Sequence, residues 1–240
     1  MNCLSFDVGG TTVKYGVIDE SYKILNKDKI PTPENEEKFI ESLSNIIQEN
    51  LSKISEVSIA MPGYVDSANN KYLYGPHLQF GIDFLKLSNF KDYKFHLDND
   101  GNVAAYCEYF LNYKNKYSNL IMLTFGTGVG GGIISEGKLL RGRGNAGEIG
   151  HMLTSNDRDV EGDSGKKGSF ESSVAASVWT KKCEELTQKN QDSELAKIFA
   201  IKNVGSVLFD DKLNLTDSEI AAREEICLLY TSPSPRDETK

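Results

Sequence analysis

The stretch Leu4-Ser5-Phe6-Asp7-Val8-Gly9-Gly10-Thr11-Thr12-Val13-Lys14-Tyr15-Gly16-Val17-Ile18 decides how this chain is read. Two short apolar runs enclose Gly-Gly-Thr-Thr, the pattern of a β-hairpin closed by a glycine turn. Glycines let the backbone fold tightly and aim N–H groups at an anion, Thr11 and Thr12 add hydroxyl donors, and Lys14 adds positive charge. Phosphate is the anion such a loop suits. Asp7, closing the first strand, would face it as a hard oxygen ligand for magnesium, through water.

The device recurs. Leu120 to Phe125 lead into Gly126-Thr127-Gly128-Val129-Gly130-Gly131-Gly132, and Ile133-Ile134 follow. Both copies continue alike, Ile18-Asp19-Glu20-Ser21-Tyr22-Lys23-Ile24-Leu25 beside Ile134-Ser135-Glu136-Gly137-Lys138-Leu139-Leu140. A repeat of this kind predicts two related domains, each offering a glycine loop to one polyphosphate across a cleft. Asp7-Val8-Gly9-Gly10-Thr11 and the loop Thr127, Gly128, Gly130, Gly131, Gly132 resemble the two phosphate motifs of the actin-like sugar kinases, specifically the ROK family. The resemblance implies an α/β, actin-like (ribonuclease H-like) two-domain ATPase fold that uses ATP and Mg2+.

Composition narrows the classes. The chain has 240 residues, 39% of them hydrophobic and 26% charged, the balance of an ordinary globular protein. A net charge of -8 argues against nucleic acid or an anionic membrane as the main partner. No apolar run is long enough to span a bilayer, and Met1-Asn2-Cys3-Leu4-Ser5 has no secretory pattern. Cys3, Cys107, Cys183 and Cys227 have neither metal nor disulfide spacing, so a reducing cytoplasm is the expected location.

Ile24 to Ile30 supplies a third strand, and Phe39, Leu43, Ile46, Ile47, Leu51 and Ile54 recur at helical spacing, predicting a helix from Glu36 to Ser52. Val57 to Met61 reads as a strand ending at Pro62-Gly63. Tyr72 to Phe90 shows no period and reads as loop. Phe95 to Asp100 is a strand, and Val103, Cys107, Phe110 and Leu111 continue as one helix face. Asn99 or Asp100 could simply cap that helix. However, Asn99-Asp100, Asn102, Ala104-Ala105 and Glu108 together resemble the catalytic Asn-Asp segment of ROK kinases. That resemblance makes Asp100 the general base and gives Asn99 a neighbouring sugar hydroxyl. It also places Gly63 at the sugar, and His77 where the family's Pro-Asn-Leu carries a sugar-binding Asn.

Glu148 and His151, within Gly147-Glu148-Ile149-Gly150-His151, would share one side of a helical turn. In the abstract such a pair suggests a metal half-site. Gly-Glu-x-Gly-His resembles the ROK signature, which implies that both hold sugar hydroxyls, with Glu171 as the third sugar-binding carboxylate. In many ROK proteins a Cys-x-Cys-Gly-x-x-Gly-Cys run binds structural zinc. Here the frame reads Gly162-Asp163-Ser164-Gly165-Lys166-Lys167-Gly168-Ser169, without thiols, so no zinc is expected.

Glu171 to Leu186 reads as a helix, with further helical stretches at Glu194 to Phe199 and from Thr216, where Glu219 completes a capping box. From Cys227 the chain follows no period. Cys227 to Asp237 can be back-translated into a string resembling a transposon-end sequencing adapter, so residues 227–240 are expected to be non-native. The expected organisation is an N-terminal domain over 1–116, an incomplete C-terminal domain over 117–226, and that tail. The resemblance implies an ATP-dependent kinase for a hexose or N-acetylhexosamine, a homodimer when complete, with ATP and a small sugar as partners and neither nucleic acid nor membrane. The alternatives are a ROK-type sugar-responsive regulator and a catalytically silent sugar-binding protein.

Overall fold

The computed structural model describes residues 2–75, 77–90, 93–154, 165 and 167–189. Contact density divides the chain into two compact units. The first comprises Met1–Thr124 with Gly130–Met152, and the second joins Phe125–Val129 to the chain from Leu153 onward.

In the first unit, β1 (Cys3–Val8) and β2 (Thr12–Ile18) form the expected antiparallel hairpin, with Val8 opposite Val13 across the glycine turn. β3 (Ile24–Pro31) pairs antiparallel with β2, whereas β4 (Glu56–Met61) lies parallel to β1 and β8 (Lys94–Asn99) parallel to β4. The order is β3-β2-β1-β4-β8. A parallel neighbour needs a crossover, which α1 (Glu36–Asn50) supplies. Asn35 starts that helix by accepting the Lys38 N–H at 2.9 Å, and Glu36 and Glu37 suit its positive end. Phe39, Leu43, Ile46 and Ile47 form its buried stripe and join Leu4, Phe6, Val13, Val57 and Ile59 in one core. Each such fully buried side chain contributes about 1.5–3 kcal/mol.

The segment read as loop from Tyr72 to Phe90 is more ordered than its sequence suggests. β5 (Tyr64–Asp66), β6 (Lys71–Tyr74) and β7 (Ile82–Asp83) form a small sheet, and short 3-10 turns cover Phe84–Phe90. Strands this short leave no period to read. Burial of Tyr72, Leu78, Ile82, Phe84 and Leu87 attaches the segment to the main core.

After β8 the chain turns directly into α2 (Asp100–Glu108). The second sheet has the order β11-β10-β9, from β9 (Leu120–Phe125), β10 (Val129–Ser135) and β11 (Lys138–Leu139). α2 packs on β10 almost backbone to backbone. A Cβ added at Gly132 would lie 2.5 Å from Ala105 Cβ, and one at Gly101 would lie 2.8 Å from the Gly131 carbonyl oxygen. This contact carries the first unit beyond residue 116, where the division had been expected.

In the second unit, the expected single helix breaks at Ala175, whose ψ of 146° is extended, giving α3 (Phe170–Val174) and α4 (Ala176–Lys189). Among the described residues of this unit, Val129, Ala175 and Val178 form a buried cluster, with Phe170 and Val174 against it. The stretches at Glu194 to Phe199 and from Thr216, and the tail over 227–240, lie outside the described residues.

Gly132→Ala should lower stability by about 1–3 kcal/mol, as overpacking does. The measurement is the midpoint of urea unfolding, and an unchanged midpoint would contradict the close approach of α2 to β10.

Candidate active site

The first glycine loop is partly closed on itself. The Gly9 N–H donates to the Thr12 carbonyl at 3.0 Å, Thr32 Oγ1 donates to the Gly9 carbonyl at 2.7 Å, and the Thr32 N–H donates to the Thr11 carbonyl at 3.0 Å. Among the described residues, the donors left to meet an anion are therefore the N–H groups of Gly10 and Thr11 and the hydroxyls of Thr11 and Thr12. Gly10 is where His77 rests: an added Cβ would lie 2.7 Å from His77 Cβ, so a side chain there would displace the exposed imidazole. Lys14 and Asp7 are cross-strand partners, and Lys14 Nζ donates to Asp7 Oδ2 at 3.3 Å. Both side chains are more than half exposed, so the pair adds at most about 1 kcal/mol.

Asn99, not Asp100, caps α2: its Oδ1 accepts the Asn102 N–H at 3.1 Å, and its Nδ2 donates to the Gly63 carbonyl at 3.0 Å. An amide has two N–H groups and two lone pairs, so one of each remains for a ligand. Asp100 is released from capping and accepts the N–H of Gly101 at 2.8 Å. Its side chain reaches solvent, yet the surrounding protein raises its carboxyl above the ordinary aspartate value, with desolvation the largest cause and the Asp7 carboxylate adding. The N–H groups of Gly101 and of Asp100 itself, and the nearby His77, oppose the rise. A raised pKa makes a stronger proton acceptor. Burial, with the Asp100 charge second, pushes the Tyr72 phenol up to about 12, so it stays protonated. Asp7, Lys14 and Asp100 line one hollow of about 1150 Å³ that runs across Ser5, Ser58 and Ala60, on the sheet face turned away from α1.

The second glycine motif divides between two tasks. Thr127 and Gly128 lie in the turn, where the Gly126 N–H donates to the Gly128 carbonyl at 2.9 Å and Ser177 Oγ to the Thr127 carbonyl at 2.6 Å. Gly130, Gly131 and Gly132 lie in β10, and the last two make room for α2 and for Gly147, whose Cβ would stand 2.6 Å from the Gly131 carbonyl oxygen. Glu171 is buried in the second unit and accepts the Val129 N–H at 2.9 Å, and a Cβ on Gly128 would lie 2.5 Å from the same carboxylate oxygen. This carboxylate, assigned to sugar by resemblance, also shapes the glycine turn.

Within the first unit, Gly131 is the common neighbour of Gly101 and Gly147, so the Asn99–Asp100 junction and the turn carrying Glu148 and His151 come together. A 3-10 turn, Ile149–His151, places His151 Nε2 3.5 Å from Glu148 Oε2. His151 Nδ1 is buried without a hydrogen-bond partner among the described residues. That is where the family's zinc would be sought, but the donors do not fit it. Gly162 and Ser164 are not thiols, and Ser169 caps α3 by accepting the Ser172 N–H at 3.2 Å. Among the described residues no group of three or more His, Cys, Asp or Glu could hold a metal. Asp98 and Arg141, which pair across the junction, were not singled out in the sequence. The signal available was the unbroken Asp98-Asn99-Asp100 run and the cationic Arg141-Gly142-Arg143 before the Glu/His turn.

The sequence profile of the ROK family matches residues 3–224. The chain belongs to the ROK family. It is 33% identical over 154 residues to a glucokinase of Streptomyces coelicolor, covering 62% of this chain and 49% of that protein. It is 31% identical over 204 residues to an N-acetylmannosamine kinase of Vibrio cholerae, covering 82% and 70%. A crystal structure of a ROK glucokinase from Streptomyces griseus, in complex with glucose and AMPPNP, superposes with a TM-score of 0.68 at 27% identity, covering 80% of this chain and 63% of that one. The ROK chain thus has the actin-like ATPase fold, and it spans about half the length of the S. coelicolor relative.

The electrostatics of Asp100 make a prediction. Its folded-state carboxyl is raised, so the charged form weighs against folding at neutral pH, and the penalty fades as pH falls through the folded and then the unfolded value. Asp100→Asn should therefore melt at a higher temperature than the parent at neutral pH, with the gap narrowing in acid. Thermal unfolding at several pH values measures it, and a variant less stable at neutral pH would contradict the assignment.

Proposed function

We propose that this chain carries the phosphate and sugar sites of an enzyme that transfers the γ-phosphoryl group of ATP to a hydroxyl of a hexose or N-acetylhexosamine. The observation that carries the reading is Asp100, a carboxylate of raised basicity at the start of α2, sharing a hollow with Asp7. In the proposed reaction the sugar hydroxyl passes its proton to the Asp100 carboxylate as its oxygen bonds to the γ-phosphorus. The bond from that phosphorus to the bridging oxygen breaks, ADP leaves, and the proton departs from Asp100 to solvent.

The remaining residues act by alignment. Gly9, Gly10, Thr11, Thr12 and Lys14, together with Thr127, Gly128 and Gly130 of the second glycine motif, are assigned to the phosphates, while Gly131 and Gly132 admit α2 and Gly147. Gly63, His77, Asn99, Glu148, His151 and Glu171 are assigned to the sugar. Magnesium usually binds through one or two carboxylates together with phosphates and water, so the exposed Asp7 fits it, and when bound it would neutralise charge on the phosphates. We propose that the site works without zinc. The two relatives described above, a glucokinase and an N-acetylmannosamine kinase, support an aldohexose-type acceptor. The scattered spacing of the four cysteines, with no disulfide or metal pattern, supports a reducing cytoplasm as the proposed location.

The test uses the complete product of the gene in a coupled ADP-release assay with glucose, N-acetylmannosamine and N-acetylglucosamine. At least one sugar should be turned over, and Asp100→Asn should reduce kcat by about 10²–10⁴-fold. Sugar binding with no ADP release on any substrate would favour a silent binder and end the kinase reading. Elemental analysis of the same preparation should find no stoichiometric zinc, and one zinc per chain would refute that part.

A further inference from the structure

The Asp98 carboxylate is shared between the two halves of the sugar site. Its Oδ1 accepts the Asn99 N–H at 2.9 Å and Asn102 Nδ2 at 3.0 Å, both at the junction that presents Asn99 and Asp100. Its Oδ2 accepts Arg141 Nε at 2.7 Å and Nη2 at 2.7 Å. Arg141 in turn opens the segment that ends in Glu148 and His151: its carbonyl accepts the N–H of Gly144 at 2.8 Å and of Ala146 at 3.3 Å. From there the chain passes through the Asn145 carbonyl, which accepts the Glu148 N–H at 3.3 Å, and the Glu148 carbonyl, which accepts the His151 N–H at 3.2 Å. The pair thus closes a continuous series of bonds from Asn99 to His151.

Its placement argues for geometry over stability. The Asp98 side chain is 13% exposed and that of Arg141 51%, so the carboxylate is held by the fold while the guanidinium reaches it from the surface. A half-exposed ion pair adds little net stability, but charge-assisted bonds fix orientation well. We infer that Asp98 and Arg141 are positioning residues, which hold the Asn99–Asp100 junction and the Glu148–His151 turn in one fixed arrangement around the sugar. The inference rests on the proposed sugar site, though the clamp itself is a property of the free protein.

Two measurements separate these layers. In the purified chain, Arg141→Met keeps the aliphatic stem and removes the charge. Amide exchange at Asn102, Glu148 and His151 should accelerate together by about tenfold or more, with little change in the melting temperature, whereas a surface control, Lys27→Met, should move none of them. Acceleration at only one of the two segments, or at neither, overturns the clamp. In the complete gene product, Arg141→Met and Asp98→Asn should each raise KM for the sugar about tenfold or more. KM for ATP should stay within about twofold, and the double variant should add little to either single one. Parallel rises in both KM values, or additive effects, overturn the positioning role. A parent enzyme that turns over no sugar would sink the proposed function, and the exchange result would still decide the clamp.

Discussion

The site depends on how closely α2 can approach β10. A helix normally stands off a strand by the length of two side chains, yet here Gly101 and Ala105 meet Gly131 and Gly132 with almost nothing between them. The same strand receives Gly147 from the other side. Because both approaches end on the Gly131 carbonyl, the N-terminus of α2 and the turn bearing Glu148 and His151 are set within reach of each other. A methyl group at any of these positions would push the two apart, and interiors packed at crystal-like density have no slack to absorb it. The position of Asp100 is in this sense decided by residues that carry no functional group.

Three aspartates near that junction show how environment divides one chemistry into different roles. Asp7, at the end of β1, is exposed and faces Lys14, which leaves its oxygens accessible to a hard cation. Asp98 is largely buried with both oxygens occupied by hydrogen-bond donors, which makes it a structural acceptor. Asp100 has backbone N–H groups and the nearby His77 to favour its charge, set against desolvation and the repulsion of Asp7, and the balance raises its proton affinity. Only the last of these environments suits a general base.

Much of the first unit was legible from sequence because its signals are local and periodic. The hairpin showed as two apolar runs around Gly9-Gly10, α1 as a stripe read from Phe39 to Ile54, slightly past the helix end at Asn50, and β8 as a run read to Asp100, one residue beyond its end at Asn99. The small sheet over Tyr64–Asp83 did not show, since its strands are too short to establish alternation and are held by Tyr72 and Ile82 joining a core built elsewhere. The break at Ala175 was hidden for a related reason: alanine favours a helix, and the extended conformation there accompanies a tertiary bond, from the Ala176 N–H to the Gly126 carbonyl. Likewise the choice between Asn99 and Asp100 as helix cap could not be made from residue type, because both are good caps. Only the Asn99 side chain turned onto the Asn102 N–H decides it, which leaves the neighbouring carboxylate to other work.

The glycine-rich run Gly126 to Gly132 shows where motif reading stops. A glycine that exposes N–H groups to an anion and a glycine that admits a neighbouring backbone look identical in sequence. Space around the missing Cβ tells them apart. Among the described residues nothing lies within 4 Å of a Cβ added at Gly126, as for a loop residue open to a ligand, whereas Gly131 and Gly132 are crowded by backbone atoms at 2.8 and 3.0 Å. Gly128 belongs to neither group, being confined by the carboxylate of Glu171. That carboxylate already holds the Val129 N–H, so whatever engages it bears directly on the shape of the turn. A residue assigned to one substrate would thereby help to set the loop assigned to the other, a coupling within the second unit that arises from packing alone.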